Sequence, residues 1–217
     1  MTAAVPGRDI ARETVLTRIR DALGPDPVVP EVPRDYVTGS DLEPDAVVER
    51  FAERVDDYRA TVHRTGHAEL PATLAALITA SGAGRVGVPV GLDDAWLTEL
   101  PDDLEVVRDQ PTYDTAALDT LELVVTASTV GIAETGTIVL DASPDQGRRA
   151  LTLVPDHHIC IITTDQIVHT VPEALPRLDP TRPLTMISGP SATSDIELDR
   201  VEGVHGPRTL HVIIVTD

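Results

Sequence analysis

Apolar positions in the first 80 residues recur every three or four places; beyond Ser81 they gather into short unbroken runs. The first spacing predicts helices and the second predicts buried strands. Asp9–Leu23 carries Ile10, Leu16, Ile19 and Leu23 at near-helical spacing, and Gly24-Pro25 stops it. The Pro-rich stretch 25–33 reads as an extended linker. Val47, Val48, Phe51, Val55 and Tyr58 predict an amphipathic helix over 43–63, and a second helix follows over 70–80, opened by Pro71. Beyond it the pattern predicts a strand over 85–90, a helix over 92–100 and a strand over 104–107. A stronger strand, LELVVT, spans 121–126, and a Gly-punctuated pair spans 131–133 and 137–140. Further strands are expected at 150–154, 159–163, 184–188 and 210–215, with a polar stretch, 188–207, between the last two. Strands alternating with helices imply an α/β fold with a mostly parallel sheet flanked by helices. The expected organisation is an N-terminal helix and Pro-rich arm over 1–40 and a single α/β domain over 41–217.

Composition narrows the function classes. Hydrophobic residues make up 41% of the 217, enough for a full core, but aromatics make up 2%, so Ala, Val, Leu and Ile must build it. The formal net charge of −19 argues against nucleic acid and against an anionic membrane, both of which need clustered cations. No apolar run approaches membrane length and the start lacks a signal-peptide core, so a soluble cytoplasmic protein is expected. The single cysteine, Cys160, allows no disulfide within the chain and no thiolate cluster for zinc or iron–sulfur. All 17 basic residues are Arg; without Lys, neither a Schiff base nor a P-loop is available.

Five segments invite a chemical reading. Gly82-Ala-Gly-Arg-Val-Gly87 has the letters of a dinucleotide fingerprint, but a helix precedes it and a strand follows, so it reads as a helix C-terminal turn. His157-His158 falls between a strand end and the next strand, and adjacent residues on an extended chain point to opposite sides, which disfavours a shared metal. Gly131-Ile-Ala-Glu-Thr-Gly-Thr137 sets Glu134 at a tight turn, where a carboxylate beside amide donors suits a nucleophile or base. An ordinary hairpin turn with a solvated Glu134 fits the same residues. Ser188–Glu197 follows a strand with a Gly-Pro turn and four hydroxyls, and reads either as an anion-cradling loop or as a turn with a helix cap. Gly203–Arg208 places His205 between glycines on an approachable turn, with Arg208 the nearest cation. Together these loops form a proposed cleft at the strand ends. Its candidate catalytic group is Glu134, and its candidate ligand contacts are Thr135, Gly136, Thr137, Gly189, Ser191, Thr193, Asp195, Glu197, His205, Gly206 and Arg208. No metal site is assigned.

The segments GIAETGTIVL (131–140), LVPDHHICII (153–162), SGPSATSDIE (188–197) and GVHGPRTLHVIIV (203–215), in this order, resemble the LUD domain family, and within it the short lactate-utilization C type. The likeness is good over about 120–217 and holds only in layout before that. It implies an α/β fold similar to the ribose-phosphate isomerase, glucosamine-phosphate deaminase and CoA-transferase group. It also implies a place in bacterial oxidation of L-lactate to pyruvate beside iron–sulfur partner subunits, with no cofactor in this chain. Ala133-Glu134-Thr135-Gly136 looks like the Ser-Glu-Asn-Gly turn of CoA transferases, whose Glu accepts the acyl group; here Thr stands for Asn. Two readings stay open: a non-redox subunit binding partners and a small organic acid or phosphate-bearing ligand, or an autonomous enzyme or sensor for a CoA ester or sugar phosphate using Glu134. Whether the chain is itself an enzyme, and whether it self-associates, are left open.

Overall fold

The computed structural model describes residues 6–35, 39–190, 192–193, 201–202 and 205–216. The chain divides into two compact units, Met1–Tyr36 and Val37–Asp217. The first holds α1 (Pro6–Leu23), which ends at Gly24 in the left-handed conformation that glycine adopts without strain. Ile10, Val15, Ile19 and Leu23 stay exposed along it, and residues 27–35 form no regular structure.

The second unit begins with α2 (Pro44–Asp57), β1 (Thr61–Gly66), α3 (Leu70–Ser81) and β2 (Arg85–Val88). A 3₁₀ turn at Asp94–Leu97 leads to β3 (Glu105–Arg108), α4 (Thr115–Leu118), β4 (Leu123–Thr126) and the hairpin β5 (Val130–Ile132) and β6 (Thr137–Leu140). Then come α5 (Arg149–Leu153), β7 (His157–Thr163), β8 (Ile167–Val168), α6 (Val171–Ala174) and β9 (Thr185–Ile187). The chain closes with β10 (Ala192–Thr193), β11 (Val201–Glu202) and β12 (Thr209–Thr216).

Six strands form a parallel sheet in the order β1-β12-β7-β4-β2-β3. Its central strands are apolar on both faces, as a sheet covered on both sides requires. Side chains alternate along each strand. Cys160, Ile162, Val212 and Ile214 therefore meet Phe51 and Val55 of α2 on one face. Ile159, Ile161, Ile213 and Val215 meet Leu70, Leu74 and Ile78 of α3 on the other. A second, four-stranded sheet, β8-β5-β6-β9, lies over the α2 side, and Gly131 of β5 lets it approach. A Cβ there would stand 2.7 Å from Ile162 Cδ1 and 3.0 Å from the Phe51 ring. The strands β10 and β11 pair antiparallel with each other.

The mostly parallel sheet flanked by helices is as expected, and Gly82 caps α3 at φ 72°, as read from the sequence. Four expectations fail. The helix predicted over 43–63 stops at Asp57: Arg59 turns left-handed at φ 67°, and the polar segment 61–66 becomes the edge strand β1. The strand predicted at 150–154 is the helix α5, because a run of five residues is too short for periodicity to separate the two. The helix predicted over 92–100 shrinks to one 3₁₀ turn, capped by the Asp93 side chain on the Ala95 amide. His157 and His158 open β7 rather than lying before it. No helix among the described residues is long and apolar enough to cross a membrane.

Candidate functional site

The turn at 133–136 joins β5 to β6. Gly136 sits at φ 60°, and a Cβ on it would come within 2.7 Å of the Arg54 carbonyl carbon, so only glycine fits against the end of α2. The Ala133 amide donates to Val168 O at 2.8 Å and the Glu134 amide to His169 O at 2.9 Å. Those two donors are therefore used within the fold. The Glu134 side chain is exposed, and its carboxylate makes no hydrogen bond or ion pair among the described residues. Thr135 Oγ1 and Thr137 Oγ1 share a hydrogen bond of 2.7 Å, and Thr137 Oγ1 shares another, 2.8 Å, with Ser188 Oγ. This hydroxyl chain ties the hairpin to the loop that follows β9. Gly189, at φ 79°, lies against Tyr58 beyond α2, where an added methyl group would overlap the Tyr58 carbonyl oxygen.

Ser188 and Gly189 border a cavity of about 240 Å³. Register pairs His157 with Thr209, so β7 and β12 begin side by side, and the cavity lies at these amino-terminal strand ends. Leu210 and His158 form part of its lining, His205 and Pro207 approach from the segment before β12, and Arg149 and Thr152 come from α5. Of the residues singled out from sequence, Gly189 and His205 line the cavity. Gly206 sits in the same turn as His205, and Arg208 pairs with Asp156 at 3.5 Å, both side chains well exposed. Thr135, Gly136 and Thr137 do not line the cavity, although Thr137 reaches it through Ser188; Glu134 is not among its walls. Thr193 falls in β10 opposite Val201. Ser191, Asp195 and Glu197 lie outside the described residues.

Among the wall residues not named as ligand contacts from sequence are Arg149, Thr152 and His158. Arg148 and Arg149 stand adjacent but do different work. Arg148 grips the buried Asp109 through two bonds, 2.8 and 2.9 Å, and donates to Tyr113 O at 2.7 Å, which anchors the start of α5. Arg149 has no hydrogen-bonding or ion-pair partner for its side chain among the described residues. The doubled Arg in so acidic a chain was the available signal. His158 is buried, and its Nε2 shares a 2.8 Å bond with Thr126 Oγ1. Burial, helped by the neighbouring His157, pushes its pKa down to about 3, so the ring is neutral near pH 7. Burial likewise pushes the Cys160 thiol up to about 12, which removes it as a nucleophile.

On the opposite face of the sheet, His63, His211 and His157 stand on the adjacent strands β1, β12 and β7. His63 Nε2 and His211 Nδ1 are 2.8 Å apart, with nearly coplanar rings and centroids 5.1 Å apart. That separation is an N···N bond plus two ring radii, so the rings meet edge to edge and the facing nitrogens bond each other. No group of three or more His, Cys, Asp or Glu among the described residues could hold a metal ion.

Residues 48–215 match the family model described as the LUD domain. Lactate utilization protein C of Deinococcus radiodurans is 44% identical over 215 residues, covering 97% of this chain and 98% of the relative. The protein of the same name from Geobacillus kaustophilus is 31% identical over 173 residues, covering 70% and 71%. A crystal structure of a DUF162 family protein from Deinococcus radiodurans superposes with a TM-score of 0.69 at 42% identity, covering 80% of this chain and 99% of that one.

Proposed function

Since the chain belongs to the LUD domain family, we propose that it serves bacterial L-lactate utilization as a subunit that carries no redox centre and works beside iron–sulfur proteins in the oxidation of lactate to pyruvate. The observation that carries this reading is the 44% identity to a lactate utilization protein C over nearly the full length of both chains. The division of labour follows from thiol chemistry. Iron–sulfur clusters are held by several thiolates, and this chain has one cysteine. On this reading, an iron–sulfur centre that takes the electrons of lactate sits on another chain.

Deletion of the coding sequence in its bacterial host tests the role. Loss of growth on L-lactate, with growth on pyruvate unchanged and restored by the plasmid-borne chain, supports it. Undiminished growth on L-lactate overturns it. The partner claim is tested by anaerobic affinity capture of the full chain from lactate-grown cells, reading iron and acid-labile sulfide in stoichiometric co-purifying proteins. Capture of the chain alone, without iron or sulfide, overturns that part.

A further inference from the structure

The chain has 36 acidic residues against 17 Arg, yet among the described residues no Asp or Glu lines the cavity between α5, the loop after β9 and the start of β12. Two other clefts on the same unit do carry carboxylates: one has Glu173 beside Arg177, the other Asp45, Glu49 and Asp165 beside Arg64. A wall whose described residues carry no carboxylate, on so negative a protein, repels an anion less than the clefts that do carry one. The same wall presents Arg149, whose guanidinium is uncommitted, whereas Arg54, Arg64, Arg85, Arg108, Arg148 and Arg182 are each held by a carboxylate of this chain. A planar guanidinium fork matches a carboxylate with two parallel bonds.

Ser188 and His158 are two further polar residues of the same wall. Ser188 is oriented by its bond to Thr137. His158 has its Nε2 committed to Thr126, and its Nδ1 has no partner among the described residues. Leu153, Ile187 and Leu210 supply apolar wall for a short carbon chain. About 240 Å³ admits a few heavy atoms with their hydration and is below the usual range for nucleotide-sized ligands.

We infer that this cavity binds a short monocarboxylate bearing an oxygen at C2, a 2-hydroxy or 2-oxo acid, with Arg149 pairing the carboxylate and Ser188 and His158 meeting the C2 oxygen. The inference rests on the lactate-utilization reading for its choice among anions. It assigns the ligand site to this chain rather than to a partner.

Isothermal titration of the full chain at fixed ionic strength tests it, with L-lactate, pyruvate, propionate and inorganic phosphate as probes. L-Lactate or pyruvate should bind saturably, and propionate, lacking the C2 oxygen, about tenfold more weakly. Arg149 is exposed and unpaired, so Arg149→Gln leaves the fold intact by circular dichroism and should weaken lactate or pyruvate about tenfold or more, with partial recovery in Arg149→Lys. Ser188→Ala should bring lactate and pyruvate toward the propionate value. Absence of saturable carboxylate binding overturns the inference, as does binding indifferent to Arg149→Gln. Phosphate binding with the same Arg149 dependence, at equal or higher affinity, overturns the carboxylate assignment. If lactate growth depends on the chain while the titrations are flat, the subunit role stands and this site assignment falls. The reverse pattern separates the two the other way.

Discussion

Acid should unfold this protein earlier than its carboxylates alone would dictate, and His158 makes the effect measurable. In the fold its ring is enclosed and bonded to Thr126, and takes up a proton only near pH 3. In the unfolded chain it does so at its ordinary value of 6.5. A base whose folded pKa is depressed contributes stability that is complete above the unfolded value and is lost as pH falls below it. The window here opens at about 6.5 and runs down toward about 3. At about pH 5 the cost is set by the unfolded value, roughly 1.5 units below neutrality of the ring, and amounts to about 2 kcal/mol. It hardly depends on where below pH 5 the folded value lies. His211, held at about 4 by burial and by His157 and His63, acts in the same direction, as do His63 and His157 through burial. These three are half-buried and better screened, so each adds less. Asp145 opposes them: burial raises its carboxyl, which relaxes as pH falls. The assay is urea unfolding near pH 7.5 and pH 5, followed by circular dichroism, on the parent chain and on His158→Gln. Glutamine can keep the bond to Thr126 and does not titrate. Between the two conditions the variant should lose about 2 kcal/mol less than the parent, whatever the other groups contribute to both. Identical pH dependence in both would refute the reasoning.

Gly189→Ala should destabilise by about 2 kcal/mol or more, since it adds the Tyr58 overlap to a left-handed backbone. Gly82→Ala, at φ 72° in open space, should cost only about 1 kcal/mol, and thermal melts of the pair separate strain from crowding. Asp109→Ala strands Arg148 and frees the start of α5; a loss of about 3 kcal/mol in urea unfolding is expected. Cys160 should resist a thiol reagent in the native state at pH 8 and react at once in denaturant, and native labelling on the time scale of a free thiol would contradict its burial. Glu134→Gln should leave lactate-dependent growth and carboxylate binding unchanged, and a large loss in either would return the catalytic assignment to that residue.

What the sequence discloses of the fold depends on burial. The runs around 123–126, 159–163 and 210–215 are strands packed on both faces, so nearly every position is apolar and the strand is plain. Segment 61–66 is an edge strand with one residue buried, and no alternation marks it off from the helix before it. The helix α5 owes its conformation to Arg148 and Asp109, residues 39 apart in sequence, and a local window cannot see that bond.

The same limit governs the site. Gly131–Thr137 announces a turn because glycine and threonine shape it locally, but where Glu134 points is decided by Val168 and His169, which take the neighbouring amides. Gly189 and His205 were found because loops with glycine are conspicuous. His158 looked like half of a weak metal motif, yet its partners are Thr126 on the next strand and a cavity closed by three distant segments. Arg149 is the clearest case. Adjacent arginines in an acidic chain suggest two surface ion pairs, and only the folded register shows that one carboxylate, Asp109, serves Arg148 alone. The uncommitted cation on the cavity wall arises from that unequal division. A carboxylate introduced at an exposed position of the wall, such as Met186→Glu, should therefore weaken carboxylate binding about tenfold or more without disturbing the core, and unchanged binding would contradict the role of the uncommitted cation.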